Sequence, residues 1–200
     1  KTEIDSIPLA NGYLEADPIK SRSWAMRLGK KTRLRVGVVW NGGFQSGNPG
    51  HWSVNERRNV QLEQFANALN QSDVDFYSLQ KGDPAESEIR GREREYWPKG
   101  NFFNFVDELH DFSDTAALVD NLDLVVAVDT STAHLAASMG KPTWILNRFD
   151  TCWRWLLQRS DSPWYAAVKL YRQDQSRNWI PPLAQVAKDL SFRANEDCDE

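Results

Sequence analysis

A chain of 200 residues is long enough for one domain with a sizeable core, and its 24 basic against 28 acidic residues, a formal charge of −4, leave no basic footprint for nucleic acid. No apolar run approaches the roughly 20 residues of a membrane span, and the opening "KTEIDSIPLA" has no apolar signal-peptide centre. The two cysteines, Cys152 and Cys198, lack the spacing of a zinc site or redox pair and fit a reducing, cytoplasmic setting, while a first residue other than Met suggests a piece of something longer.

Residues 1–33 read as a lead-in outside the core, in which "LEADPIKSRSWAMRLGKK" opens a short helix near Pro18 and closes it at Gly29. "LRVGVVW", 34–40, is an apolar β-branched run of the kind a buried parallel strand requires, and it empties into the turn "NGG". A polar loop runs to Arg58, and "QLEQFANALN" then places Leu62, Phe65, Ala66 and Leu69 at helical spacing. "VDFYSLQ", 74–80, is the next strand. The charged stretch 84–98 reads as a solvated loop or short helix, "FFNFVDEL" as a short strand, and "DTAALVDNL" as a short helix capped by Asp114. A strand over 124–128, a helix over 131–139 and a strand "PTWILN" follow. Beyond a Trp-rich loop come the short strand "VKLYRQ", a helix over "PPLAQVAKDL", and an acidic tail, "RANEDCDE", read as disordered. Strands alternating with helices of about ten residues predict βαβ units. The expected fold is therefore a Rossmann-like three-layer α/β/α domain over 34–192 with a mostly parallel sheet of five or six strands, flanked by the lead-in 1–33 and the tail 193–200.

In such a sheet, ligands sit where strands end at their carboxyl edge and helices begin. "VVAVDTSTAHLAASMGKP", 125–142, makes that transition with Asp129, three hydroxyl residues and a histidine. The first N–H groups of a helix lack internal partners and the macrodipole adds partial positive charge, so this turn is an anion site. Thr130, Ser131 and Thr132 add hydroxyl donors, His134 is placed to donate to a diphosphate, and Asp129 suits sugar or ribose hydroxyls. The competing interpretation of Asp129 and Thr130 is an ordinary helix cap, and that of His134 a structural histidine. Two further strand ends agree: Gly42 and Gly43 let backbone approach a ligand, with Arg57 and Arg58 before the next helix, and Lys81 follows the second strand. No G-x-G-x-x-G or P-loop is present, which argues against a dinucleotide. "DVD" at 73–75 precedes its strand and reads as a turn, so no metal is implied.

"DTSTAHLAASMGKP" resembles the Asp-Thr…His-Leu-Ala…Gly-Lys-Pro motif of heptosyltransferase-like GT-B glycosyltransferases. With "LRVGVVW", "SLQKG", "DFSDTAALVDNLDLVVAVDT" and "WRWLLQRSDSPWY" in order over about 34–182, the likeness extends to the glycosyltransferase-like C-terminal domain found behind tetratricopeptide repeats in bacterial proteins. The resemblance implies the donor-binding half of a GT-B enzyme, joined through residues 1–33 to an N-terminal domain or repeat region. It implies a nucleotide-diphospho-sugar donor, no cofactor and no metal. By motif position, Thr130, Ser131 and Thr132 would hold the diphosphate with support from His134, Asp129 would face the sugar, and Arg58 and Lys81 would neutralise the leaving group. Arg154 is a further candidate, and Asp114 and Thr115 are expected to line the same cleft. No catalytic base is assigned, because the half that carries it in the family is absent. The alternatives are a non-catalytic nucleotide-sugar-binding or scaffold module and one half of a sugar-nucleotide epimerase.

Overall fold

The computed structural model describes residues 3–7, 12–43, 56–71 and 73–198, so the expected polar loop lies from residue 44 to 55 outside the described residues. Six strands form one sheet: β1 (Leu34–Val39), β2 (Val74–Ser78), β3 (Phe102–Phe103), β4 (Leu124–Val128), β5 (Thr143–Asn147) and β6 (Val168–Arg172). Their order across the sheet is β3-β2-β1-β4-β5-β6. Every pairing is parallel, with Val36 opposite both Phe76 and Leu124. This is the doubly wound Rossmann order, and its direction reverses between β1 and β4.

The two-residue period of a strand sends alternate side chains to opposite faces. Leu34, Val36 and Val38 of β1 join Leu124, Val126 and Val128 of β4 on one face. There they meet α2 (Leu62–Leu69) through Phe65 and Leu69, and α7 (Ile180–Cys198) through Leu183, Val186 and Leu190. Val39, Val125 and Ala127 point the other way, toward α5 (Phe112–Asp120) and α6 (Ser131–Ser138). Burial on both faces explains why β1 and β4 read as unbroken apolar runs. On α6 the residues turned to the sheet are Ala133, Ala136 and Ala137, each at most 1% exposed, so the helix lies close against β4 and its N-terminus is brought near the end of β1.

Four expectations change. The lead-in helix α1 (Pro18–Leu28) opens with Pro18, capped by Asp17, and ends at Gly29 as read, but it is part of the core. Trp24 is buried, tilts against Phe105 at 5.3 Å and joins the cluster of Val39, Tyr77 and Leu118, a tertiary contact that no local pattern announces. The cap of α5 is Asp111, whose carboxylate accepts from the Asp114 N–H, so Asp114 lies one turn inside. The stretch 84–98 forms short helices, α3 (Ala85–Ile89) and α4 (Glu93–Tyr96), as one of its two readings had it, but it is not simply solvated: Ala85, Ile89 and Trp97 are buried beneath the charged surface. Finally, the acidic tail continues α7 to Cys198. No helix is long and apolar enough to cross a membrane among the described residues.

Candidate functional site

The carboxyl ends of β1 and β4 meet at the reversal point, and α6 starts between them. Thr130 is its cap: the residue is extended and its hydroxyl accepts from the Ala133 N–H at 3.4 Å. The next backbone bond, from His134 N–H to Thr130 O, closes the first turn. The N–H groups of Ser131 and Thr132 precede any intrahelical partner and lie on the open side of the turn. Two clefts flank this helix end, both touching Thr130 and Ser131.

The first cleft, about 410 Å³, runs toward β2 between Asn41, Gly42, Leu79, Gln80, Lys81, Leu109, Phe112 and Thr115 on its two walls, with Thr132 at the helix end. Its back wall is rigid. The buried Gln80 side chain accepts from the N–H groups of Trp40 and Asn41 and donates to Asn41 O, locking the end of β1 to the end of β2. Lys81 lines the cleft while its ammonium donates to Val106 O at 2.9 Å, which anchors it to the wall. Asp114 does not reach this space: it pairs with Lys20 at 2.7 Å and accepts from the His110 N–H. Thr115 does reach it.

The second cleft, about 590 Å³, opens on the other side of α6 and collects Arg58, Asp129, His134, Arg148, Cys152, Arg154 and Tyr165. Arg58 reaches across the switch point, donating to Asp129 O and to Gly42 O, each at 3.0 Å. A Cβ on Gly42 would overlap the Arg58 guanidinium, so this glycine makes room for Arg58 while also lining the first cleft. Gly43, with φ +73°, turns the chain away and donates its N–H to the Asn41 side chain. Burial lowers the Arg58 pKa, with the Asp129 charge opposing and Arg148 adding. Burial pushes the Asp129 carboxyl up. Hydrogen bonding from His134 and the Trp155 indole, together with the charges of His134 and Arg58, outweighs it and holds Asp129 below the ordinary 3.8. Trp155 Nε1 is itself buried without a well-formed hydrogen bond, so its contribution is polarity directed at the carboxylate.

His134 is half-buried at the edge of this cleft. Its Nε2 lies 3.5 Å from Asp129 Oδ1, its Nδ1 lies 2.9 Å from the Tyr165 hydroxyl, and its ring stacks on Trp155 at 5.0 Å. Both ring nitrogens thus lie near protein groups, while the side chain, 27% exposed, also lines the second cleft. Arg154 lies over Trp153 at 4.8 Å and reaches Cys152 Sγ at 3.2 Å, at the rim. Arg57 turns aside to Asp150 at 3.2 Å. Among the described residues, no group of three or more His, Cys, Asp and Glu side chains gathers as metal ligands would.

Residues 62–146 match Glycosyltransferase family 9 (heptosyltransferase). The solved structures agree in fold. ADP-heptose lps heptosyltransferase II of E. coli superposes with a TM-score of 0.60 at 14% identity, covering 92% of this chain and 54% of that one. A family 9 glycosyltransferase from Veillonella parvula gives 0.56 at 13% identity, over 94% of this chain and 54% of that one. The E. coli heptosyltransferase WaaC, solved with ADP-2-deoxy-2-fluoro heptose, gives 0.50 at 15% identity, over 96% and 52%. A curated relative, Protein FlbA of Caulobacter vibrioides, is 28% identical over 194 residues, 93% of this chain and 30% of that protein. The chain thus spans about half the length of the solved heptosyltransferases and under a third of the curated relative.

The family 9 stretch contains Lys81 and Asp129 to His134 but not Gly42, Gly43, Arg58 or Arg154, which the fold alone brings to the same edge. Three residues of the second cleft, Arg148, Cys152 and Tyr165, escape a reading of the sequence. Arg148, whose side chain is 13% exposed, directly follows β5, and its position one residue past a parallel strand was the available signal. Tyr165 comes from the loop before β6, where nothing local marks it. Conversely, Lys141 of the family-like "GKP" leaves the cleft altogether, donating to Asp120 O and Leu122 O behind α5.

Proposed function

We propose that this chain binds a nucleotide-diphospho-sugar at the carboxyl edge of its sheet and serves as the donor-binding half of a metal-independent glycosyltransferase acting on an acceptor of its own. The observation that carries this reading is the placement of the α6 N-terminus between two clefts of different chemistry. A diphosphate lying across Ser131 and Thr132 has its charge met by backbone N–H groups and the helix dipole. Its nucleoside then extends into the cleft walled by Leu79, Leu109 and Phe112, and its sugar into the cleft holding Arg58, Asp129, Arg148 and Arg154. Departure of the diphosphate is eased by fixed donors and arginine charge in a partly buried site. Thr130 acts through the helix cap, and Lys81 and Arg58 act from anchored positions at the two walls. The heptosyltransferase solved with an ADP-sugar analogue makes ADP-sugars the first donors to try.

The same proposal includes a cytoplasmic setting and an N-terminal domain or tetratricopeptide repeat region in the full-length protein; the chain spans about half the length of the solved structures it matches. A second reading, a nucleotide-sugar-binding module without turnover, draws on the anchoring of Lys81 to Val106 O, which leaves that wall preformed for binding. Calorimetric titration with ADP, UDP, GDP and their sugar conjugates, without divalent metal, separates the cases. Saturable binding of one diphosphate, followed by sugar transfer in the longer protein, supports the enzyme; binding without transfer supports the module. An absence of binding across the panel removes both.

A further inference from the structure

The second cleft is unbalanced in charge. Its walls bring together three guanidinium groups, those of Arg58, Arg148 and Arg154, and a single carboxylate, Asp129. The arginines stand in order along the carboxyl edge of the sheet. Arg58 bridges the ends of β1 and β4 through Gly42 O and Asp129 O, beside the start of α6. Arg148 lies one strand farther on, directly after β5, and Arg154 in the loop beyond it. With the nucleoside toward β2 and the diphosphate at the α6 N-terminus, Arg148 and Arg154 fall on the sugar side.

The protein does little to neutralise either of these two. The Arg148 side chain is 13% exposed, yet its buried Nη1 makes no hydrogen bond among the described residues. Its ion pair with Asp150 is long, 3.7 Å, and Asp150 is held more closely by Arg57, at 3.2 Å. A buried donor left in this way costs stability, and so does the approach of like charges that Arg148 and Arg58 make. Arg154 rests over Trp153 at 4.8 Å and directs Nη1 to Cys152 Sγ at 3.2 Å, a weak acceptor, and it pairs with no carboxylate among the described residues.

We infer that Arg148 and Arg154 receive a carboxylate on the sugar of the donor, so that the donor is a nucleotide-activated sugar acid. The inference rests on the nucleotide-sugar reading above and names the class of sugar for that site. Each phosphate of the donor carries one negative charge, and the pair is met by the α6 N-terminus, by Lys81 and by Arg58 at the two walls. Asp129 offsets one of the two guanidinium charges that remain, and a group of single charge balances the other. A carboxylate supplies that charge and presents two oxygens that match the guanidinium fork. A neutral hydroxyl accepts a hydrogen bond and leaves the charge uncovered, and a phosphate monoester brings nearly twice the charge the cleft has to meet.

Calorimetry on this chain tests the inference with ADP-, UDP- and GDP-linked glucose, glucuronate and glucose 6-phosphate, compared within each nucleotide so that the nucleoside contribution cancels. For the accepted nucleotide, the glucuronate conjugate is expected to bind about tenfold or more tightly than the glucose conjugate, and the ratio to drop at least about threefold in each of Arg148→Gln and Arg154→Gln. Arg154 lies at the exposed rim, so its variant reads the preference even where loss of the half-buried Arg148 disturbs folding. Equal affinity for glucose and glucuronate conjugates, or tighter binding of glucose, overturns the sugar-acid inference while leaving the nucleotide-sugar reading in place. Tightest binding of the 6-phosphate overturns the carboxylate in favour of a phosphate. A ratio unchanged in a folded variant overturns the assignment of that arginine. No binding of any conjugate overturns the nucleotide-sugar reading and the sugar acid together.

Discussion

Gly42 is where the site is most sensitive to a single carbon atom. Its hydrogen leaves the space that the Arg58 guanidinium fills while bonding Asp129 O and Gly42 O. Gly42→Ala is expected to expel Arg58, costing about 1–3 kcal/mol of stability as overpacking does and lowering diphosphate affinity at least about tenfold. Thermal unfolding and calorimetry on the same sample measure both, and an alanine variant with native affinity would show that Arg58 is dispensable. Asp129 carries a pH signature. Its folded-state pKa lies below the ordinary value, so its contribution to stability is present above pH about 4 and is lost as pH falls through the folded pKa. The stability difference between wild type and Asp129→Asn should therefore shrink as pH falls from 5 toward about 2. A difference that stays constant over that range would mean that the carboxylate is not specifically held.

At the scale of elements, α6 and α1 make contrasting predictions. Removing the cap with Thr130→Ala should cost about 1 kcal/mol, a modest amount because the Thr130 bond to the Ala133 N–H is long and most of the helix is secured by its alanine face. Trp24→Ala should cost about 3–5 kcal/mol, visible as a fall in Tm of roughly 10 °C or more. A loss below about 1 kcal/mol would return α1 to the role of a connector. The elements legible in the sequence were those whose own pattern is unambiguous. β1, β4 and β5 are apolar runs bounded by turns, α2 has four apolar residues at helical spacing, and α6 begins with a run of hydroxyls. The role of α1 was not legible, because its single buried anchor, Trp24, finds its partners more than ten residues away on β1, β2 and α5. The same reasoning divides the site. Asp129 to His134 announce themselves at one turn. Arg148 and Tyr165 matter only because β5 and the approach to β6 pass beside that turn. His134 was recognised, yet its contacts with Trp155 and Tyr165 depend on a loop some twenty to thirty residues downstream.

For the molecule as a whole, a ligand that bridges both clefts touches β1, β2, β4, α6 and the loop before β6 at once. Binding to the folded state alone then protects the entire domain. A nucleoside diphosphate at about 100 times its Kd should raise unfolding stability by roughly 2.7 kcal/mol, a shift of several degrees in Tm. A panel of ADP, UDP and GDP in a thermal-shift experiment would reveal the accepted base, and equal shifts from inorganic diphosphate would show that the first cleft contributes no recognition of the nucleoside.

The sheet order also governs how the chain acquires its shape as it is made. Val36 pairs with Leu124 across the switch point, so the central strand has one neighbour, β2, within some forty residues and lacks the other until the chain has grown past β4. At a synthesis rate of about 5–20 residues per second, β1 waits roughly 5–20 s with one edge uncovered. During that interval the strand that will form the centre of the protein presents a row of unpaired N–H and C=O groups along one edge.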